Sequence, residues 1–124
     1  MIGCMCISVF PYYDIKTHKN GFKRRPVLVI GKADAGDFVC LPISRVTRSE
    51  HIDKVYDIAI TPDSVPMANL TQVSYIRTHK QTVINSASLV KTVVNFKVEY
   101  ADIFCEVISK VDLFQSAMLK QAIM

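Results

Sequence analysis

The sequence predicts a mainly β protein with added α structure (α+β class), in which a small, mostly antiparallel β-barrel or curled sheet carries a C-terminal helix. Six short apolar or alternating segments, separated by turn residues, occupy the first three quarters of the chain. The last quarter instead has the spacing of an amphipathic helix. A length of 124 residues corresponds to one compact domain, residues 1–124.

The first three predicted strands lie in the N-terminal half. Residues 2–10 alternate or run apolar and include β-branched side chains, and residues 12–23 form a predicted polar, basic loop that contains Asn20-Gly21. A buried strand over residues 25–31 and a returning strand over residues 38–46 form a hairpin around the turn at 34–37. Pro42 indicates a bulge or an edge position in the returning strand.

Three more strands and the helix complete the prediction. Residues 55–60 alternate with period two, and residues 70–79 do the same. Residues 81–88 are polar and predict either irregular structure or a single helical turn. Val and Thr favour a strand over residues 89–98. From Glu99 onward the apolar residues recur at helical spacing: Phe104, Val107, Ile108, Val111, Phe114, Met118 and Ala122.

The charge of the chain is unevenly distributed. Fifteen Lys and Arg against eleven Asp and Glu give a net charge of +4. The window from Ile15 to Ala33 has no acidic residue and carries most of the basic excess: Lys16, Lys19, Lys23, Arg24, Arg25 and Lys32, with His18 beside them. Such a window either faces an anionic partner or is a solvated basic loop.

Cysteine and histidine placement argues against a metal centre. The four cysteines have apolar neighbours and lack the paired spacing of a zinc site, so we expect buried thiols in a reducing cytoplasm. The three histidines, His18, His51 and His79, lie in separate polar stretches, which predicts surface positions. No uncharged apolar run reaches the length that crosses a bilayer, so we expect a cytoplasmic protein without a membrane partner.

Arginines and hydroxyls gather where predicted strands begin or end. Arg24 and Arg25 precede a buried strand, Ser44, Arg45, Thr47 and Arg48 follow the next one, and Arg77 with Thr78 follows a third. Strand ends converge in a small barrel, and guanidinium groups bind phosphodiesters through forked hydrogen bonds. The simpler interpretation is that these side chains only solvate strand ends.

Three segments, in order along the chain, resemble the MazF/PemK family of toxin endoribonucleases. Residues 23–30, Lys-Arg-Arg-Pro-Val-Leu-Val-Ile, are similar to the signature strand of that family. Residues 41–44, Leu-Pro-Ile-Ser, and residues 72–81, Gln-Val-Ser-Tyr-Ile-Arg-Thr-His-Lys-Gln, resemble two later family strands. With the closing strand and helix, the resemblance spans nearly the whole chain.

The resemblance implies a fold, an activity and partners. The fold would be an SH3-like barrel of the CcdB/PemK type, and the protein a homodimer that needs no metal or other cofactor. It would cleave single-stranded RNA at selected sequences, as the toxin of a type II toxin-antitoxin system. Its second partner would be a cognate acidic antitoxin that occupies the RNA groove.

Residue roles follow from the same resemblance. Arg25 matches the catalytic arginine and Ser44 the catalytic Thr or Ser, with Thr47 as a nearby substitute. The ribose 2′-OH would attack the adjacent phosphate to leave a 2′,3′-cyclic phosphate and a 5′-OH, while Arg25 stabilises the phosphorane and assists proton transfer and Ser44 donates a hydrogen bond. Basic and aromatic residues are expected to bind the RNA strand. They are Lys16, Lys19, Lys23, Arg24, Arg45, Arg77, Tyr12 and Tyr13.

Two departures from the family pattern keep a second class of protein open. The first strand lacks the Gly-Asp or Gly-Glu that usually opens family members, and the first loop is basic where a Gly-Ser-Glu-like segment is usual. The alternative is a non-catalytic dimeric barrel that binds an acidic protein or nucleic acid without cutting it. A gyrase poison of the CcdB kind is disfavoured because the chain has no Trp.

Overall fold

The computed structural model describes residues 1–124, which form seven strands, two helices and three short 3-10 turns. The strands are β1 (Cys4–Asp14), β2 (Lys19–Asp34), β3 (Asp37–Ser44), β4 (Asp57–Ile60), β5 (Ser74–Arg77), β6 (Thr82–Asn85) and β7 (Leu89–Asn95). The helices are α1 (Phe96–Glu99) and α2 (Ala101–Ile123). The 3-10 turns are Ser49–His51, Pro66–Ala68 and Ser86–Ser88. The architecture is therefore mainly antiparallel β with a C-terminal helix, as the sequence predicted.

The sheet curls around β3, which has two partners on one edge. The strand order is β4-β5-β3-β2-β1-β7, and β6 also pairs with β3. Residues 37–40 of β3 pair with β6, whereas Ile43 and Ser44 pair with β5. Pro42, which has no N–H to donate, lies between these two pairings, where that edge of β3 is unpaired. The 3-10 turn Ser86–Ser88 joins β6, which pairs with β3, to β7, which pairs with β1.

Strand alternation divides the buried side chains between two clusters, one on each face of the central strands. The first cluster packs the sheet against β4, β5 and the helices, and it includes Met5, Leu28, Ile43, Ile76 and Val107. The second cluster lies on the opposite face: Cys4, Cys6, Val27, Val29, Phe38, Cys40 and Ile84. A residue of β1, β2 or β3 can thus be assigned to a face by its buried neighbours.

Helix α2 packs through its first half and extends beyond the core in its second half. Phe104, Val107 and Val111 are buried, whereas Ile108 and Met118 of the predicted apolar stripe are exposed. Neither α1 nor α2 combines the length and the apolar character that spanning a bilayer requires.

The prediction of a basic loop over residues 12–23 is wrong. Residues 11–14 and 19–24 extend β1 and β2 into a projecting hairpin, with pairs continuing to Asp14↔Lys19 around a tip at residues 15–18. Tyr12 lies across Gly21, where an added Cβ would stand 2.9 Å from the ring. This aromatic cover over a glycine stabilises strand pairing that the polar composition conceals.

Other boundaries also differ from the prediction. A seventh strand, β6, occupies part of the segment 81–88 that was expected to be irregular. Only Ser74–Arg77 of the predicted strand 70–79 pairs, and the strand predicted over 89–98 ends at Asn95. The Asn95 side chain accepts a hydrogen bond from Val98 N at 3.3 Å, so it caps α1 and starts helical structure early.

Two side-chain placements are corrections as well. Cys105 is exposed on α2, while Cys4, Cys6 and Cys40 are buried as expected. His79 is not a surface residue, because its ring stacks on Tyr56 and meets Phe114 edge-on. Phe114 of α2 and Tyr56, both distant in sequence, cover His79, and local composition does not report such contacts.

Candidate functional site

A groove of about 560 Å³ lies at one end of the first cluster. Its floor is apolar and includes Met5, Pro26 and Ile43. One side carries Arg24, Arg25, Ser44, Arg45 and Lys91. The segment between the turn Pro66–Ala68 and β5 supplies the other side, which is lined by Ala68, Asn69, Leu70, Thr71 and Ser74.

The groove carries positive charge without compensation. Four of its lining residues are cationic, and none is Asp or Glu. The Arg45 guanidinium donates from Nη2 to the Thr71 hydroxyl at 3.1 Å, which links the two sides while leaving its charge unpaired. Such a surface attracts an anionic chain, because a concave low-dielectric wall strengthens the field of its charges.

Arg25 and Ser44 lie on neighbouring strands, each two residues beyond the last β2–β3 pair. Val27 pairs with Pro42, and counting two residues outward along each antiparallel strand aligns Arg25 with Ser44. Both residues line the groove just beyond the end of this ladder. A phosphate held there lies within reach of a guanidinium and a hydroxyl from neighbouring strands.

A row of polar side chains crosses four strands through this pair. Ser8 of β1 is opposite Arg25, and Tyr75 of β5 is opposite Ser44. The Ser8 hydroxyl donates to the Arg25 carbonyl at 2.7 Å and fixes the strand there. We call Ser8, Arg25, Ser44 and Tyr75 the polar row.

Alternation sets the polar row apart from the groove floor. Ile43 and Ile76 belong to the first cluster, so the adjacent Ser44 and Tyr75 face the other side of the sheet. Arg25 shares that side with Val27, which belongs to the second cluster. Arg25 and Ser44 thus border the groove at its rim. Arg24, by contrast, shares the face of Pro26 on the groove side.

Arg77 is engaged in an ion pair away from the groove. Its Nε and Nη2 each lie 3.2 Å from a different oxygen of Asp57, and Nη2 also donates to the His51 carbonyl at 2.8 Å. The Asp57 side chain has no solvent exposure. The structure therefore gives Arg77 a bridging role between β4, β5 and the turn at residues 49–51.

Two further groups complete this ion-pair region. Asp53 accepts backbone hydrogen bonds from Tyr56 and Val55, and chiefly the Tyr56 bond lowers the pKa of its carboxyl. His79 Nδ1 is buried without a hydrogen-bond partner, 3.8 Å from Asp57 Oδ1. None of these residues lines the groove.

The remaining residues predicted to bind RNA lie on the projecting hairpin. Tyr12, Tyr13, Lys16, Lys19 and Lys23 are all exposed there, outside the groove lining. The Lys23 ammonium stands 4.8 Å above the centre of the Tyr12 ring. Tyr13 shares a hydrogen bond of 3.3 Å with His18. Thr47 follows β3 as an exposed residue and does not line the groove.

Sequence reasoning missed Lys91, Asn69 and Tyr75. Lys91 is the one charged residue of β7. Its charge interrupts a mostly apolar segment, and this feature of the sequence could have indicated a functional residue. Asn69 adopts a left-handed backbone with φ of 57° at the groove, and Tyr75 joins the polar row only through pairing with β3. No three His, Cys, Asp or Glu side chains are grouped in a way that could hold a metal ion.

The fold and the groove define a small, curled β protein with a cationic cleft. Comparisons with protein-family models and with curated proteins find no match. The functional argument therefore rests on the residues of the site.

Proposed function

We propose that the protein is a metal-independent endoribonuclease that cleaves single-stranded RNA at selected sequences, the toxin of a type II toxin-antitoxin system. The alignment of Arg25 with Ser44 at the rim of a groove without carboxylates is the observation that carries the proposal. An SH3-like barrel of the CcdB/PemK type, suggested by the sequence resemblance, is compatible with the curled antiparallel sheet.

The proposed reaction is an internal transfer at one phosphate. The ribose 2′-OH attacks the adjacent phosphorus, and the products are a 2′,3′-cyclic phosphate and a 5′-OH. Arg25 stabilises the charge that accumulates on the phosphorane, and the Ser44 hydroxyl donates to a non-bridging oxygen. Arg24, Arg45 and Lys91 hold the flanking phosphates in the groove.

Single-strand binding extends the proposed site beyond the groove. Lys16, Lys19 and Lys23 neutralise phosphates, and Tyr12 and Tyr13 offer aromatic surface to unpaired bases. Lys23 above the Tyr12 ring places a cation and an aromatic group together on one arm of the hairpin.

The proposed protein partners follow from the charge and from the exposed helix. An acidic antitoxin segment would compete for the same cationic groove. A second copy of the chain would cover apolar side chains that α2 exposes, among them Leu113, Leu119 and Ile123. Sedimentation of the purified chain tests the homodimer, and a single species of monomer mass at all concentrations would contradict it.

Purified protein incubated with single-stranded RNA and EDTA tests the activity. We expect cleavage at a small set of sequences, products that end in a 2′,3′-cyclic phosphate, and a loss of about 10²–10³-fold in rate for Arg25→Ala. RNA that is bound but remains intact would favour the non-catalytic barrel. Cleavage that EDTA abolishes would overturn the metal-independent mechanism.

A further inference from the structure

Tyr75 occupies the next position beyond Ser44 in the polar row. It pairs with Ser44 across β3 and β5 and with Ala59 across β4 and β5. Neighbouring strands are about 4.8 Å apart, so a tyrosine side chain spans the distance to a phosphate held at Ser44. Tyr75 is half-buried, and its hydroxyl makes no hydrogen bond within the chain.

The proposed reaction needs a proton at the leaving oxygen, because its product is a 5′-OH. Arginine stays protonated at any accessible pH and a serine hydroxyl does not ionise, so Arg25, Ser44 and Ser8 are poor proton donors. A phenol can act as a general acid, because it can give up a proton and regain it from water. Tyr75 is the one side chain of the polar row with this property.

We infer that Tyr75 is the general acid of the reaction; this rests on the proposed ribonuclease function. As the 2′-oxygen bonds to phosphorus and the bond from phosphorus to the 5′-oxygen breaks, the phenol proton of Tyr75 passes to the 5′-oxygen. The 2′-OH gives its proton to water, and the phenolate then regains a proton from water.

Lys91 is the competing proton donor. Its ammonium also carries a transferable proton and it lines the groove, but it belongs to β7 and pairs with Ile7 on the groove side of the sheet. Lys91 therefore lies on the face opposite the polar row. Replacing Lys91 should weaken RNA binding, and the loss should be the same whether the leaving atom is oxygen or sulfur.

Two substrates of the same sequence separate these roles. One is ordinary RNA, and the other has sulfur in place of the 5′-bridging oxygen at the cleaved phosphate, because a thiolate leaves without a proton. Tyr75→Phe keeps the ring and removes the acid. We expect it to lower kcat on ordinary RNA by about 10²-fold or more and to cut the sulfur substrate within a few-fold of the wild-type rate.

The controls define what would overturn the inference. Arg25→Ala should be impaired on both substrates, and Lys91→Met should raise KM equally on both. A Tyr75→Phe variant with wild-type rates, or with equal losses on the two substrates, would exclude Tyr75 as the acid, as would a sulfur rescue seen in Lys91→Met instead. Wild-type protein that cuts neither substrate would instead refute the proposed ribonuclease function.

Discussion

Arg77 grips Asp57 with two parallel hydrogen bonds, each 3.2 Å long, between adjacent strands. The carboxylate has no solvent exposure and also accepts the Asp53 backbone N–H at 2.8 Å. The pair thus ties β4 to β5 and to the loop that precedes them. Arg77, which the sequence analysis expected to contact RNA, thus fixes β5, the strand that carries Tyr75, against β4.

Removing Asp57 should destabilise the fold strongly. Asp57→Ala leaves the Arg77 guanidinium partly buried without its partner, and breaking such a pair costs about 3–5 kcal/mol. Urea unfolding measures the change in the free energy of unfolding. Glu50→Ala is the matched control, because its ion pair with Arg48 is 3.8 Å long and solvent-exposed and should contribute less than about 1 kcal/mol. Equal losses in the two variants would contradict a structural role for the buried pair.

The sequence predicted the apolar strands and the helix because local patterns encode them. Val27 to Ile30 form part of β2, and the spacing of Phe104, Val107 and Val111 gave the buried stripe of α2. The sequence did not predict the strands of the projecting hairpin, because most of their residues are polar. Their pairing depends on cross-strand contacts such as Tyr12 over Gly21.

The candidate site could be predicted only in part, because it too depends on contacts between residues distant in sequence. Arg25 and Ser44 could be proposed from their motifs, but their alignment depends on the β2–β3 register. Nothing local marks Asp57 as the partner of Arg77, which lies 20 residues further along the chain. Long-range pairing of this kind decides which strand-end arginine remains free to bind a phosphate.

Arg24 and Arg25 should differ in kinetic effect although they are neighbours. Arg25 is aligned with Ser44, so Arg25→Ala should lower kcat by about 10²–10³-fold. Arg24 lies on the groove side and contacts flanking phosphates under the proposal, so Arg24→Ala should mainly raise KM. Steady-state cleavage of one short RNA measures both constants. A larger loss of kcat in Arg24→Ala than in Arg25→Ala would indicate that the reacting phosphate lies on the groove side of the sheet, beside Arg24.

The hairpin lysines should set the salt dependence of RNA binding. Replacing Lys16, Lys19 and Lys23 with Gln removes up to three phosphate contacts, each worth about 0.7 in the slope of log K against log salt for a single strand. We expect the slope to fall by about 2 in filter-binding or fluorescence titrations. A triple Gln variant at the exposed Lys54, Lys80 and Lys120 carries the same charge change and should keep the wild-type slope. Equal slopes in both triple variants would remove the hairpin from the binding surface.

Alkaline pH should weaken the second cluster through Cys40. Burial, with a smaller contribution from Cys6, raises the pKa of the Cys40 thiol from 9.0 to about 11. The folded state therefore retains a proton that the unfolded state loses, so this stabilisation is complete below about pH 9 and is lost as the pH approaches 11.

Urea unfolding between about pH 8 and pH 11 tests this effect. The stability difference between wild type and Cys40→Ala should shrink by roughly 1–3 kcal/mol over that range, because only the wild type loses the contribution. Cys105→Ala, at an exposed thiol on α2, should keep a constant difference from wild type. A constant difference for Cys40→Ala as well would contradict the burial effect.

Gly3 should tolerate no side chain, whereas Gly31 should accept one. Gly3 has a φ of +93°, and an added Cβ would stand 2.5 Å from the Lys97 Cβ. The backbone of Gly3 also bonds Val29 and Phe96, both at 2.8 Å, so it joins the start of β1 to β2 and to α1. Left-handed strain alone costs about 1–3 kcal/mol for an ordinary residue, and the steric clash adds to it.

Thermal or urea unfolding of the two alanine variants compares these glycines directly. Gly3→Ala should lose at least about 2 kcal/mol of unfolding free energy. At Gly31 no atom lies within 4 Å of the added methyl group and φ is not in the left-handed region, so Gly31→Ala should be neutral or gain about 0.4–1 kcal/mol by restricting the unfolded chain. Equal stability of both variants would mean that the junction of β1, β2 and α1 is looser than the hydrogen bonds at Gly3 indicate. A loss confined to Gly3→Ala would identify this junction as a point that holds the curled sheet against its helices.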